Sequence, residues 1–171
     1  SEIEHDMAIR LTLARVLTSP SFLYRREQPG PGKDSVPVSD NELATRLSYF
    51  LWSSQPDASL RRIADSGQLT SEPVLRDQTR RMLKDPRTRR LAIQFACQWL
   101  HVRNFDQNED KNEALYPQFA TLRADMYEET VRFFEDMFRN DGSVLDMLTA
   151  DHSFLNAALA SHYGIPTTQQ A

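Results

Sequence analysis

Apolar residues recur along this chain at spacings of three and four, the period of an α-helix, and almost nowhere in strict alternation. Ile3, Met7, Leu11 and Ala14, widened by Leu13, Val16 and Leu17, predict a helix over residues 2–18, which Ser19-Pro20 ends. Leu43, Leu47, Phe50 and Leu51 predict a second, and the stripe Leu91, Phe95, Trp99 and Val102 another. The longest helix is expected from about Gln118 to Asn140. Phe119, Leu122, Met126, Phe133 and Met137 form its core line.

Capping residues punctuate this pattern. Ser39–Glu42 reads SDNE, a capping box. Asp57 caps "ASLRRIADSG" and Gly67 ends it; Thr70 or Ser71, with Pro73, opens the next helix. Asp85-Pro86 starts another, Gly142 ends the longest, and Ser143 caps a short "VLDMLTA". Asp151 or Ser153 is expected to cap the last helix, which Gly164 and Pro166 stop. Gln28–Asp40, with three prolines and two glycines, reads as a linker, and "NFDQNEDKNEALYP" as a surface loop. "DSVPV" is too short and proline-broken for a sheet. The fold expected is all-α, an irregular bundle of roughly seven to eight helices.

Composition narrows function more than it defines it. With 24 acidic and 20 basic residues, a net charge of −4 leaves no footprint for nucleic acid. The basic run "RTRRL", with Arg80, Arg81 and Lys84 before it, reads as the solvated face of two helices, or else as a phosphate patch. No run reaches the length of a membrane span. The lone Cys97 allows no intrachain disulfide, CxxC pair or CxxCH haem attachment, and its apolar setting makes it a small buried hydrophobe. The chain opens inside a helix without an initiator Met and closes on "TTQQA", so both ends read as cuts in a longer protein.

Candidate chemistry is sparse. Asp125, Glu128, Glu129, Glu135 and Asp136 crowd the long helix, but it holds no histidine, and Arg132 and Arg139 stand four residues after Glu128 and Glu135. That spacing builds surface ion pairs rather than a di-metal site. Glu2-x-x-His5 stands alone, and His101 sits where a helix dipole welcomes a cation. No nucleophile elbow, P-loop or dinucleotide glycine motif occurs. The richest stretch is "DHSFLNAALASHYGIP", holding the weak catalytic candidates Asp151, His152, Asn156 and His162. At about 100° per residue from Phe154, His162 falls at about 80°, amid Ala158 and Leu155, which predicts a core histidine bonded to a neighbouring helix. His152 precedes the helix, so the histidines are not a spaced ligand pair.

The order of "ELATRLSYFLWSSQPDASL", "VLRDQTRRMLKDPR", "FACQWLHVRNF" and the segment from Phe119 to Pro166 resembles the helical domain of planctomycete-type cytochrome-c-associated proteins, large multidomain bacterial proteins. "IRLTLARVLTSPSFLYRRE" resembles the end of the small module before it. The resemblance implies a helix and linker over 1–38 that belong to a preceding module, and a bundle domain over 39–171. It also implies a parent exported to the periplasm or outside the cell, with haem c in a neighbouring domain and none in this chain. The function expected is a non-catalytic helical structural or interaction module, its partners being neighbouring domains of the same protein. An alternative is part of an enzyme domain acting on a polymer or redox substrate, through Asp151, His152, Asn156 and His162 near Trp99 and the Asn104–Tyr116 loop. A carbohydrate-binding module would instead use exposed Trp52, Tyr116 and Tyr163, although burial in the core is the preferred reading of Trp52, which ends a helix just before "SSQP". No metal site and no specific small-molecule or glycan ligand is indicated.

Overall fold

A computed structural model describes residues 4–24, 37–107, 109 and 111–166. Glu2, most of the linker and the last five residues lie outside them. The regular structure of the described residues is all helical, without a strand: α1 (His5–Leu17), α2 (Pro20–Leu23), α3 (Asp40–Trp52), α4 (Ala58–Asp65), α5 (Glu72–Leu83), a 3₁₀ turn (Pro86–Thr88), α6 (Arg89–Leu91), a π-helical segment (Ala92–Ala96), α7 (Cys97–Trp99), a second 3₁₀ turn (Phe105–Gln107), α8 (Phe119–Arg139), α9 (Asp146–Thr149) and α10 (Ala157–Tyr163).

The caps act where the sequence places them. Ser39 and Glu42 complete the reciprocal box at α3, and Asp57 accepts the Leu60 N–H at 2.8 Å. Gly67 follows α4 with φ +67°. Several helix ends differ from expectation: Ser71 precedes α5 without a side-chain cap bond, and α9, expected to follow Ser143 directly, begins at Asp146. At α8 the left-handed residue is Asp141 (φ +54°); Gly142 follows it and donates to the Met137 carbonyl. Gly142 is needed for closeness instead: a Cβ there would lie 3.1 Å from Met137 Cγ. His101, expected to offset a dipole from the last turn, lies beyond α7 with φ +57°. It takes the place usually given to glycine, while Val102 N–H closes on the Cys97 carbonyl at 2.8 Å. The last helix starts later than Asp151 or Ser153 allows: Asn156 caps α10, accepting Leu159 N–H at 2.9 Å.

Two apolar clusters share the interior. The first joins Leu51, Trp52, Leu60, Leu69, Met82 and Leu91 from α3, α4, α5 and α6. The second joins Ala92, Ala96 and Cys97 to Val131, Phe134 and Met137 of α8, and Phe138 packs against both. The stripe predicted through Phe95 and Trp99 is corrected here: Phe95 is 52% and Trp99 57% exposed. In the π segment backbone bonds close over five residues, so residues five apart share a face. Leu91 and Ala96, and Ala92 and Cys97, therefore turn inward together.

Trp52 organises the first cluster and is wholly buried. Its indole N–H donates to the Met82 carbonyl at 3.0 Å, and the Arg87 guanidinium lies 3.4 Å above its ring. Arg87 is held by Asp85 through two bonds of 2.8 Å, and Arg81 by Asp57 at 2.8 and 3.2 Å. The hydrogen bond from Arg87 lowers the Asp85 pKa from 3.8 to about 2. A carboxyl whose folded pKa is depressed stabilises the fold above its ordinary pKa, and that stability drains away as pH falls toward the folded value. Urea midpoints should thus hold steady down to about pH 5 and decline between about pH 4 and pH 2. Asp85→Asn should remove about 1 kcal/mol at neutral pH and flatten that decline. An unchanged acid limb in the variant would refute the assignment.

α1 stands apart. None of its residues is buried, and Ile9, Leu13 and Val16 lie on the far side of the helix from Met7 and Leu11.

Candidate functional site

Gly142 lets the chain turn closely against the end of α8, and Met147 of α9 packs against the second cluster. Residues 150–155 are not helical, and α10, with Leu159 and Ala160 buried, packs against α8. Between these pieces and the exposed Trp99 and Leu100 runs a groove of about 620 Å³. Phe133, Phe134, Leu145 and Leu148 make its walls apolar, and Glu129, Asp146, His152 and Ser153 supply its polar groups.

Glu129 fastens the C-terminal segment to α8. One carboxylate oxygen accepts the Ser153 hydroxyl, and the other accepts the Tyr163 hydroxyl at 3.0 Å. Burial, then the Glu129 carboxylate beside it, pushes the Tyr163 pKa up, so the phenol keeps its proton and remains a donor. Ser153 spends its proton on Glu129, and no imidazole nitrogen is bonded to it among the described residues. The His152 ring instead lies 5.8 Å from Phe133 and 6.0 Å from Phe154, with Nδ1 3.6 Å from the fully exposed Asp151 carboxylate. A histidine packed in this way does not activate a serine.

The predicted site residues separate. His152 lines the groove together with Trp99. Asp151 points to solvent, and Asn156 is spent as a helix cap. His162 is exposed, a correction to the core position expected for it. Residues 151–155 are not helical, so Phe154 and Leu155 do not define the buried face; Leu159 and Ala160 do. The expected partner on a neighbouring helix is present: His162 Nδ1 meets Gln118 Oε1 at 2.8 Å. Of the glycan platforms, Trp52 lies in the core, as its preferred reading had it, while Tyr116 and Tyr163 are 59% and 43% exposed.

The other chemical candidates are structural. Glu128 bonds Arg132 at 2.9 Å and Glu135 bonds Arg139 at 3.3 Å, both along α8. Arg89 adds a link from α6, reaching Glu128 and Glu135. Burial would raise the Glu128 pKa, but the bonds and charges of Arg89 and Arg132 outweigh it and hold the carboxyl low. Burial pushes the Cys97 thiol up, and burial with Cys97 beside it pushes Tyr127 to about 12. Neither is a nucleophile at neutral pH. Among the described residues no three His, Cys, Asp or Glu are placed to hold a metal ion. The single, buried Cys97 does not fit covalent haem attachment.

Residues 38–165 match the family described as "Protein of unknown function (DUF1592)". The chain belongs to that family. No curated protein and no solved structure matches the DUF1592 chain. The groove, the Glu129 clamp and the Trp52 network all lie within the matched residues of the DUF1592 domain. No helix described in it is long and apolar enough to cross a membrane.

Proposed function

We propose that the chain is a non-catalytic helical module that packs against neighbouring domains of a larger, exported bacterial protein carrying c-type haem in other modules. In this reading 1–38 closes the preceding module and 39–171 is the bundle that contacts its neighbours. One observation carries the module reading: the apolar surface left uncovered. Trp99, Leu145 and Leu148 are 57%, 68% and 87% exposed along one groove, and six large apolar side chains of α1 are about half exposed. Contiguous apolar surface on this scale marks contact sites rather than free surface. The export and haem parts rest on the resemblance in segment order alone.

Hydrogen–deuterium exchange compared between the isolated chain and its full-length parent tests the reading. Amides of α1, α7 and α9 should exchange several-fold more slowly in the parent. Equal rates in both, or a stoichiometric metal or haem in the isolated chain, would overturn it.

The enzyme reading has one observation of its own: Trp99, Glu129, His152 and Ser153 line the same groove. It would act on a polymer laid across Trp99, with Glu129 or His152 as acid or base. Glu129 is engaged by two hydroxyl donors, which favours the module reading. Turnover of a polysaccharide or redox substrate that disappears in Glu129→Gln would reverse that preference.

A further inference from the structure

The fold divides the basic run from Arg76 to Arg90 into two sets. Arg81, Arg87, Arg89 and Arg90 turn to Asp57, Asp85, Glu128 and the Trp52 carbonyl. Arg76 and Arg139 keep carboxylates four residues away in their own helices. The Arg80 and Lys84 side chains meet no carboxylate and no hydrogen-bond partner among the described residues. Both line an open groove of about 750 Å³ between α5 and the C-terminal end of α8, where the four cations Arg76, Arg80, Lys84 and Arg139 outnumber the two carboxylates, Glu72 and Asp141. Leu83 and Phe138, half-buried against the first cluster, line its apolar base.

Cations at helix ends ordinarily offset the dipole, which amounts to about half a charge at each end. Arg80 and Arg81 both stand in the last turn of α5, and Arg139 donates to the Lys84 carbonyl at 3.3 Å. With Lys84 added, this end carries more positive charge than half a dipole charge requires. Arg80 and Lys84 stand one helical turn apart, beside apolar side chains, on a protein of net charge −4.

Both are exposed, and neither is a buried donor of the kind that holds a single phosphate. Two unpaired cations offer far too few phosphate contacts for nucleic acid. Their spacing beside Leu83 and Phe138 matches a helix that carries two carboxylates at i and i+4 flanking an apolar side chain. We infer that this groove docks an acidic, amphipathic helical segment of a neighbouring domain of the parent protein, Arg80 and Lys84 pairing with its carboxylates and Leu83 and Phe138 seating its apolar side. The inference rests on the module reading and names one partner chemistry for it.

Fluorescence anisotropy with a labelled helical Glu/Leu peptide, glutamates four residues apart, tests it on the whole chain. A Lys/Leu peptide of the same pattern and inorganic phosphate are the comparisons. The acidic peptide should bind, more weakly at high salt, and the basic one should not. Arg80→Gln with Lys84→Gln should weaken binding roughly tenfold. These side chains have no partner to lose, and an unchanged melting curve will confirm the fold. No binding of the acidic peptide, equal binding by the variant, or displacement by equimolar phosphate overturns the inference. A colourless, metal-free chain that fails to bind the peptide overturns this docking site alone; bound haem or metal overturns the module reading instead.

Discussion

Trp52→Ala is expected to cost about 4–5 kcal/mol, from a third to nearly all of an ordinary domain's stability of about 5–15 kcal/mol. The side chain is wholly buried, so its removal leaves a void that Leu60, Met82 and Leu91 fill only in part. The Met82 carbonyl keeps the Thr88 hydroxyl at 3.0 Å but loses the indole N–H. Arg87 loses the ring face beneath its guanidinium while still tied to Asp85. Trp52→Phe keeps a ring under Arg87 and gives up only the hydrogen bond and part of the volume, for about 1–2 kcal/mol. Urea unfolding followed by circular dichroism measures both. A Trp52→Ala domain within about 1 kcal/mol of the parent would show that the cluster does not depend on this residue.

Asp57→Ala should cost about 2–3 kcal/mol by combining two losses. Its carboxylate caps α4 through the Leu60 N–H, worth about 1 kcal/mol. It also holds Arg81 in a two-bond pair between side chains 36% and 23% exposed, worth about 1–2 kcal/mol after allowing for solvent. Burial would raise the Asp57 pKa, but the Arg81 bond, the Leu60 N–H and the Arg81 and Arg87 charges hold it low. Asp57→Asn keeps the cap and should lose about half as much. In a double-mutant cycle with Arg81→Ala, a coupling near zero would remove the ion pair from this account.

These two residues also mark how far the sequence could be read. Asp57, Ser39 and Glu42 act within three residues of themselves, and a local pattern reveals such caps. The last helix shows how that reading fails. Asp151, Ser153 and Asn156 are all good caps, and only the folded chain decides among them. Glu129, far back in the chain, takes the Ser153 hydroxyl, Asp151 extends into water, and Asn156 is left to cap. The start of the helix therefore shifted, and with it the face that His162 was expected to occupy. Burial of Trp52 was one of two readings of a tryptophan at a helix end, and the Arg87 ring contact 35 positions away chose between them. In the groove, Trp99 and His152 were legible as residues. The enzyme reading set them near one another, and they do line one groove; the geometry of that meeting was not legible, because it depends on the π segment and on the turn after Gly142. The Glu129 clamp carries no local signal, since its partners lie 24 and 34 positions away.

The π-helical segment Ala92–Ala96 has a consequence for how this chain tolerates changes of length. A π turn takes roughly one residue more than an α turn. The path from Leu91 to Cys97 therefore advances about as far around the axis as one residue fewer would in an α-helix. Deleting the exposed Gln94 would restore ordinary winding and leave Leu91 and Cys97 each facing its present cluster. The same deletion in the middle of α3 or α8 would swing half of the helix by about 100° and turn its buried side chains into water. The domain thus carries one spare residue, at the boundary between its two clusters.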